Sequence, residues 1–115
     1  MNGNPTAEQK RFHEWARDYG CIIDNSENPA IHHIKGSKMK LKGVDKAGEW
    51  YVIPLSYHWH QDGSHSAALH VNKNEFERVT VTEKTHWILL MSDYYLEHGC
   101  FPMSDEEYQI IVERA

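Results

Sequence analysis

The order of elements written into these 115 residues predicts an α+β fold: a helix, two short strands around a long loop, and then helices. Three observations carry this. Apolar residues recur at helical spacing near the start and over most of the last third. Two short β-branched runs lie between them. Glycines and lysines crowd the stretch that separates those two runs.

Residues 6 to 19 read as the first helix. Thr6 with Gln9 three residues later forms a capping box, Phe12, Trp15, Ala16 and Tyr19 share one face, and Gly20 supplies a stop. The run Ala30 to Ile34 is a candidate strand. Residues 35 to 48, with Gly36, Gly43 and Gly48 among lysines, have loop composition. Trp50 to Leu55 is the better strand, with Pro54 limiting its ladder. After the turn Gln61-Asp62-Gly63-Ser64, a helix is expected from about Ser66, or later, to Arg78. Another runs from Glu83 to His98, capped by Thr82 and ended by Gly99, with Trp87, Leu90, Met91 and Tyr94 as core. A last helix follows Ser104, with Glu107 completing its capping box. No repeat or linker divides the chain, so a single domain over 1–115 is expected.

Composition narrows the partners. The chain is 40% hydrophobic and 25% charged, as a globular protein is. No apolar run approaches the roughly 20 residues that span a bilayer. The start, Met1 to Pro5, lacks the basic and apolar regions of a signal peptide, and two cysteines, Cys21 and Cys100, are too few for a disulfide framework. A cytoplasmic protein with free thiols is expected. The formal charge of −5 argues against a broad nucleic-acid footprint. Charge is nonetheless uneven: Lys35, Lys38, Lys40, Lys42 and Lys46 fall in one loop, whereas Asp105, Glu106, Glu107 and Glu113 crowd the C-terminus.

Histidine stands out most. Six of the nine histidines lie between His32 and His70, five of them in the segments Ile31-His32-His33-Ile34, Tyr57-His58-Trp59-His60 and Leu69-His70, and the sixth is His65. Metal-assisted hydrolysis needs a base for water and neutral imidazoles that leave open positions on a cation. Adjacent strand residues point to opposite sides. One member of the His32-His33 pair can therefore ligate while the other faces substrate, provided local twist turns both to one cleft. A helix returning after the second strand can bring His60 and His70 back to the first. His13, His86 and His98 read as surface or packing residues on helices. Spacing alone does not separate a nuclease from a metal-binding module.

The succession Gly20-Cys21, His32-His33-Ile34, Ile53-Pro54-Leu55, His60, Leu69-His70 and Phe76-Glu77 resembles the phage nucleases of the recombination-enhancement-function (RecA-dependent nuclease) type. These belong to the HNH, or His-Me finger, superfamily, and the resemblance covers about Thr6 to Glu83. It implies a ββα-metal core over about 20–80, flanked by the N-terminal helix and a C-terminal helical extension over about 82–115. It implies His33 as general base and His32, His60 and His70 as ligands of one divalent cation, magnesium or manganese, with zinc also suited to three imidazoles. His65 is an alternative ligand. Lys35, Lys38, Lys40 and Lys42, with Arg78 nearby, would contact DNA phosphates. A recombinase filament or another host protein is an implied partner, and no membrane is.

The chain departs from the pattern where that family holds a structural zinc. Those four positions read Cys21, Asp24, Ser56 and Trp59, and only Cys21 is a customary zinc ligand. No structural zinc is expected, and apolar burial by Trp50, Tyr57, Trp59 and the C-terminal helices would replace it. Glycines before His70 are also lost, to Ser64, Ser66 and Ala67. A second functional expectation follows: a catalytically silent HNH-derived protein that binds and inhibits a host complex of the restriction or CRISPR type. A histidine-rich metal- or pH-responsive domain is a third.

Overall fold

The protein was analysed as a computed structural model that describes residues 4–115; Met1 to Gly3, on which part of the signal-peptide reading falls, lie outside the described residues. The chain is mixed α+β, with five α-helices and one two-stranded antiparallel sheet among the described residues. Helix α1 (Ala7–Tyr19) begins with the capping box of Thr6 and Gln9 and ends at Gly20, whose φ of 94° suits a residue without a Cβ. Phe12 and Ala16 face the core from α1.

Strand β1 (Ala30–His33) pairs with β2 (Val52–Leu55), with His32 opposite Ile53 and His33 opposite Val52. Pro54 is tolerated because it stands opposite Ile31 with its backbone turned away from β1: its carbonyl accepts from the Ile22 amide at 2.8 Å. The loop between the strands closes with a 3-10 turn at Ala47–Glu49. All four β2 residues are buried, so this strand runs through the core although the sheet has only two strands.

After β2 the chain makes one turn of helix, α2 (Tyr57–His60), which the sequence did not suggest. The next helix, α3 (Lys73–Val79), is capped by the Asn72 side chain and so starts at the late end of expectation. The apolar run Ala67-Ala68-Leu69 is buried in turns instead of forming an early helical turn. There the Leu69 amide donates to Trp59 O at 2.8 Å and the His70 amide to His60 O at 2.9 Å, which ties the segment back against α2.

Helix α4 (Glu83–His98) is capped by Thr82 and ended by Gly99, and α5 (Asp105–Arg114) by the capping box of Ser104 and Glu107. Trp87, Leu90 and Met91 are fully buried, each contributing about 1.5–3 kcal/mol relative to exposure. The Trp87 indole N–H donates to Trp50 O at 2.8 Å, so this large side chain leaves no polar atom unpaired. Tyr94 is partly buried and packs edge-on against Trp15. No helix among the described residues is long and apolar enough to cross a membrane.

Candidate metal centre and general base

The antiparallel pairing sets the site. Because neighbours on a strand alternate, His32 and His33 leave β1 on opposite faces, about 3.8 Å apart at Cα. Local twist does not turn both rings to one set of partners: each imidazole has its own surroundings.

On one face, His32 meets His60 from the end of α2 and His70 from the segment tied to it. The three offer ligand nitrogens that lie within 4.8 Å of one another. Their ring centroids are 4.9 Å apart for His32 and His60, 5.6 Å for His32 and His70, and 4.5 Å for His60 and His70. Three residues far apart in sequence thus converge, and the change of glycines to Ser64, Ser66 and Ala67 has not moved His70 out of reach.

The fit of this set to a cation rests on His60. Its Nε2 is buried with no hydrogen-bond partner among the described residues, an arrangement that wastes a polar atom unless something electrophilic meets it. Burial, followed by the neighbouring His32 and His70, lowers its pKa to about 4, so at neutral pH it is the neutral imidazole that a cation requires. His70 is exposed, which leaves a side open to water and substrate. Three imidazoles with an open face suit one divalent ion.

Glu83, the first residue of α4, completes this face. Its Oε2 lies 2.7 Å from His32 Nε2, and Lys73 Nζ lies 3.5 Å from its other oxygen. Burial pushes the Glu83 carboxyl up, but the hydrogen bond and charge of His32, with Lys73 adding to them, carry it net below the ordinary carboxylate value. As a carboxylate it can only accept, so it fixes the His32 proton on Nε2 and leaves the lone pair on Nδ1.

The opposite face holds a second cluster: His13, His33 and Glu49. Glu49 closes the 3-10 turn and is buried. Its Oε1 lies 2.9 Å from His33 Nε2, and its backbone carbonyl accepts from His13 Nε2 at 2.7 Å. A carbonyl cannot donate, so the His13 proton sits on Nε2; burial above all lowers the His13 pKa. Glu49 is therefore gripped at its backbone by α1 while its carboxylate grips His33. His13, expected as a surface or packing residue, is a buried part of this cluster.

The remaining candidates fall elsewhere. His65 stacks on His58, with centroids 4.0 Å apart, and meets Trp59 edge-on; it does not join the three ligand candidates. His86 is buried against Phe76, with Nε2 3.1 Å from the Thr80 hydroxyl, and His98 packs on Tyr94. Arg78 is engaged by both carboxylate oxygens of Glu75, at 2.8 and 2.6 Å. Lys38, Lys40, Lys42 and Lys46 line a groove that reaches Glu49, and Lys35 is exposed but outside that lining.

Three of the four positions at which the resembled family holds zinc meet in space. Burial pushes the Asp24 carboxyl up, yet Ser26, the Cys21 thiol and the Trp59 indole together carry it below the ordinary value. Cys21 is a buried free thiol and Cys100 an exposed one. Glu49 and Glu83 were not legible as site residues, because each lies far along the chain from the histidine it holds. The one local hint was that Glu83 opens a capped helix beside the last of the motif segments.

No family model, curated protein or solved structure matches this chain.

Proposed function

We propose that the chain is a metal-dependent endonuclease or nickase that hydrolyses phosphodiester bonds in DNA, with β1, β2 and the helices after them as a ββα-metal arrangement. The observation that carries this reading is the juxtaposition of a three-imidazole set, His32, His60 and His70, with a carboxylate-held imidazole, His33, at the next position of the same strand. A plain metal-binding module has no use for the second half of that pair.

The chemistry follows from proton placement. With Nε2 engaged by Glu49, His33 keeps its lone pair on Nδ1 and accepts a proton there from the attacking water. Glu49 then faces the imidazolium that forms and stabilises it. A divalent ion, magnesium or manganese, held by His32, His60 and His70 would supply positive charge to the scissile phosphate and the leaving oxygen. Glu83 keeps His32 in one tautomer, and the lysine loop orients the backbone of the strand. The resemblance adds a phage or prophage setting, a recombinase filament or other host protein as partner, and the cytoplasm as compartment.

Incubation with supercoiled plasmid and with single-stranded DNA, in magnesium, in manganese and in chelator, tests the reading. Cleavage in either metal that chelator abolishes supports it. A folded protein that binds metal but cleaves neither substrate contradicts it, and favours the silent inhibitor of a host complex.

A further inference from the structure

The loop between the strands is a built surface rather than a solvated run of lysines. The Met39 amide donates to Gly36 O and the Gly48 amide to Met39 O, both at 3.2 Å, and Leu41 and Val44 form a β-bridge. Gln9 of α1, itself buried, donates from Nε2 to Asp45 O and Lys46 O at 3.1 Å each. Gly48 sits so close to the other limb that a Cβ there would lie 2.5 Å from Gly36 O, and a Cβ on Gly43 would meet Ile110 of α5 at 3.0 Å. Helices at both ends of the chain thus hold the loop in one shape.

That shape is an open groove of about 810 Å³, within the range of small-molecule sites. Its lining alternates two chemistries. Lys38, Lys40, Lys42 and Lys46 supply positive charge, and the half-buried Met39 and Leu41 supply apolar surface between them, with Val44 buried beneath. Asp45 and Glu49 are the acidic members, and Glu49 is already engaged with His33. A partner with anionic groups along an edge and flat apolar faces between them complements this lining. Duplex DNA offers the anions, but its base faces are stacked inside the helix. An unpaired strand offers both, and the thioether of Met39 suits an aromatic ring.

We propose that the groove binds an unpaired nucleotide strand, with phosphates on the lysines and a base against Met39 and Leu41. The proposal rests on the nuclease reading for its consequence: a strand lying there runs toward Glu49 and delivers its next phosphate to His33. The selected substrate is then single-stranded, or duplex with an unpaired segment.

The test is binding in chelator, where no cleavage intervenes, of a labelled oligodeoxythymidine and of a hairpin duplex with the same number of phosphates. The wild type should bind the single strand more tightly, by up to about tenfold, as a sulfur–base contact allows. Met39→Ser with Leu41→Ser should remove that preference while leaving duplex binding in place. Equal binding of both nucleic acids by the wild type, a double variant with undiminished preference, or tighter binding of an acidic peptide than of the single strand would overturn the proposal. Should the double variant not fold, photocrosslinking of wild-type protein to an oligonucleotide carrying 4-thiothymidine decides. Crosslinks within residues 38–46 support the groove, and crosslinks confined to other segments overturn it. A protein that keeps the strand preference but cleaves nothing in metal sinks the nuclease reading and leaves the groove standing.

Discussion

Glu49 Oε1 lies 2.9 Å from Nε2 of His33, and that contact decides which nitrogen of His33 carries a lone pair. A carboxylate accepts and never donates, so on the proposed reading a base at His33 would act through Nδ1. Glu49→Gln keeps the shape but can hold either tautomer. Cleavage should fall about ten- to a hundredfold, part of the roughly 10²–10⁴ that a general base supplies. The variant's pH–rate profile should shift along with its rate, whereas a merely structural role for Glu49 would lower the amount of folded protein and leave the profile in place.

Glu83→Gln tests the other face. On the proposed reading the bond from Glu83 to His32 orients a ligand, and losing such a partner costs about 10–100-fold in metal affinity or activity. Calorimetric titration with manganese should show the weaker binding directly. Unchanged affinity would mean that Glu83 does not position His32.

Gly48 is a steric constraint on the loop. In Gly48→Ala the new Cβ would press on two backbone oxygens, 2.5 Å from Gly36 O and 2.7 Å from Ser37 O, neither of which can rotate away. A loss of about 1–3 kcal/mol is expected from urea unfolding. Gly63→Ala, with nothing within 4 Å of its Cβ, should stay within about 0.5 kcal/mol.

His86 makes stability depend on pH. Burial holds its pKa below 6.5 in the folded protein. The unfolded chain therefore takes up its proton first as pH falls, and stability present above pH 6.5 is lost as pH drops through the lower, folded value. His86→Gln should flatten the urea midpoint below pH 6.5. A variant whose midpoint falls with acid as steeply as the wild type's would assign the effect to other groups, His60 and His13 first.

Much of this was legible in the sequence where the cause is local. The capping boxes at Thr6 and Ser104 and the stops at Gly20 and Gly99 mark helix ends because their partners lie within a few residues. His32, His60 and His70 could be grouped because the motif order carried them. The carboxylates could not, since Glu83 meets His32 across 51 residues and Glu49 meets His33 across 16. Helix α3 starts late because the amides of Leu69 and His70 bond to α2 carbonyls, a tertiary tie that the apolar run Ala67-Ala68-Leu69 does not announce. His65 resembled a ligand by position, yet it stacks on His58 and lies outside the three-imidazole group, although its Nε2 too is buried without a partner among the described residues.

The central claim, that His33 takes a proton from water beside a metal held by its neighbours, is tested most directly by comparing His33→Ala with the wild type. Plasmid nicking in manganese and manganese affinity would be measured on the same samples. The account predicts a rate lower by about 10²–10⁴ with metal affinity unchanged, because His33 belongs to the cluster with His13 and Glu49 and is not one of the three ligand candidates. A variant that nicks as fast as the wild type, with metal bound and the fold intact, would contradict it.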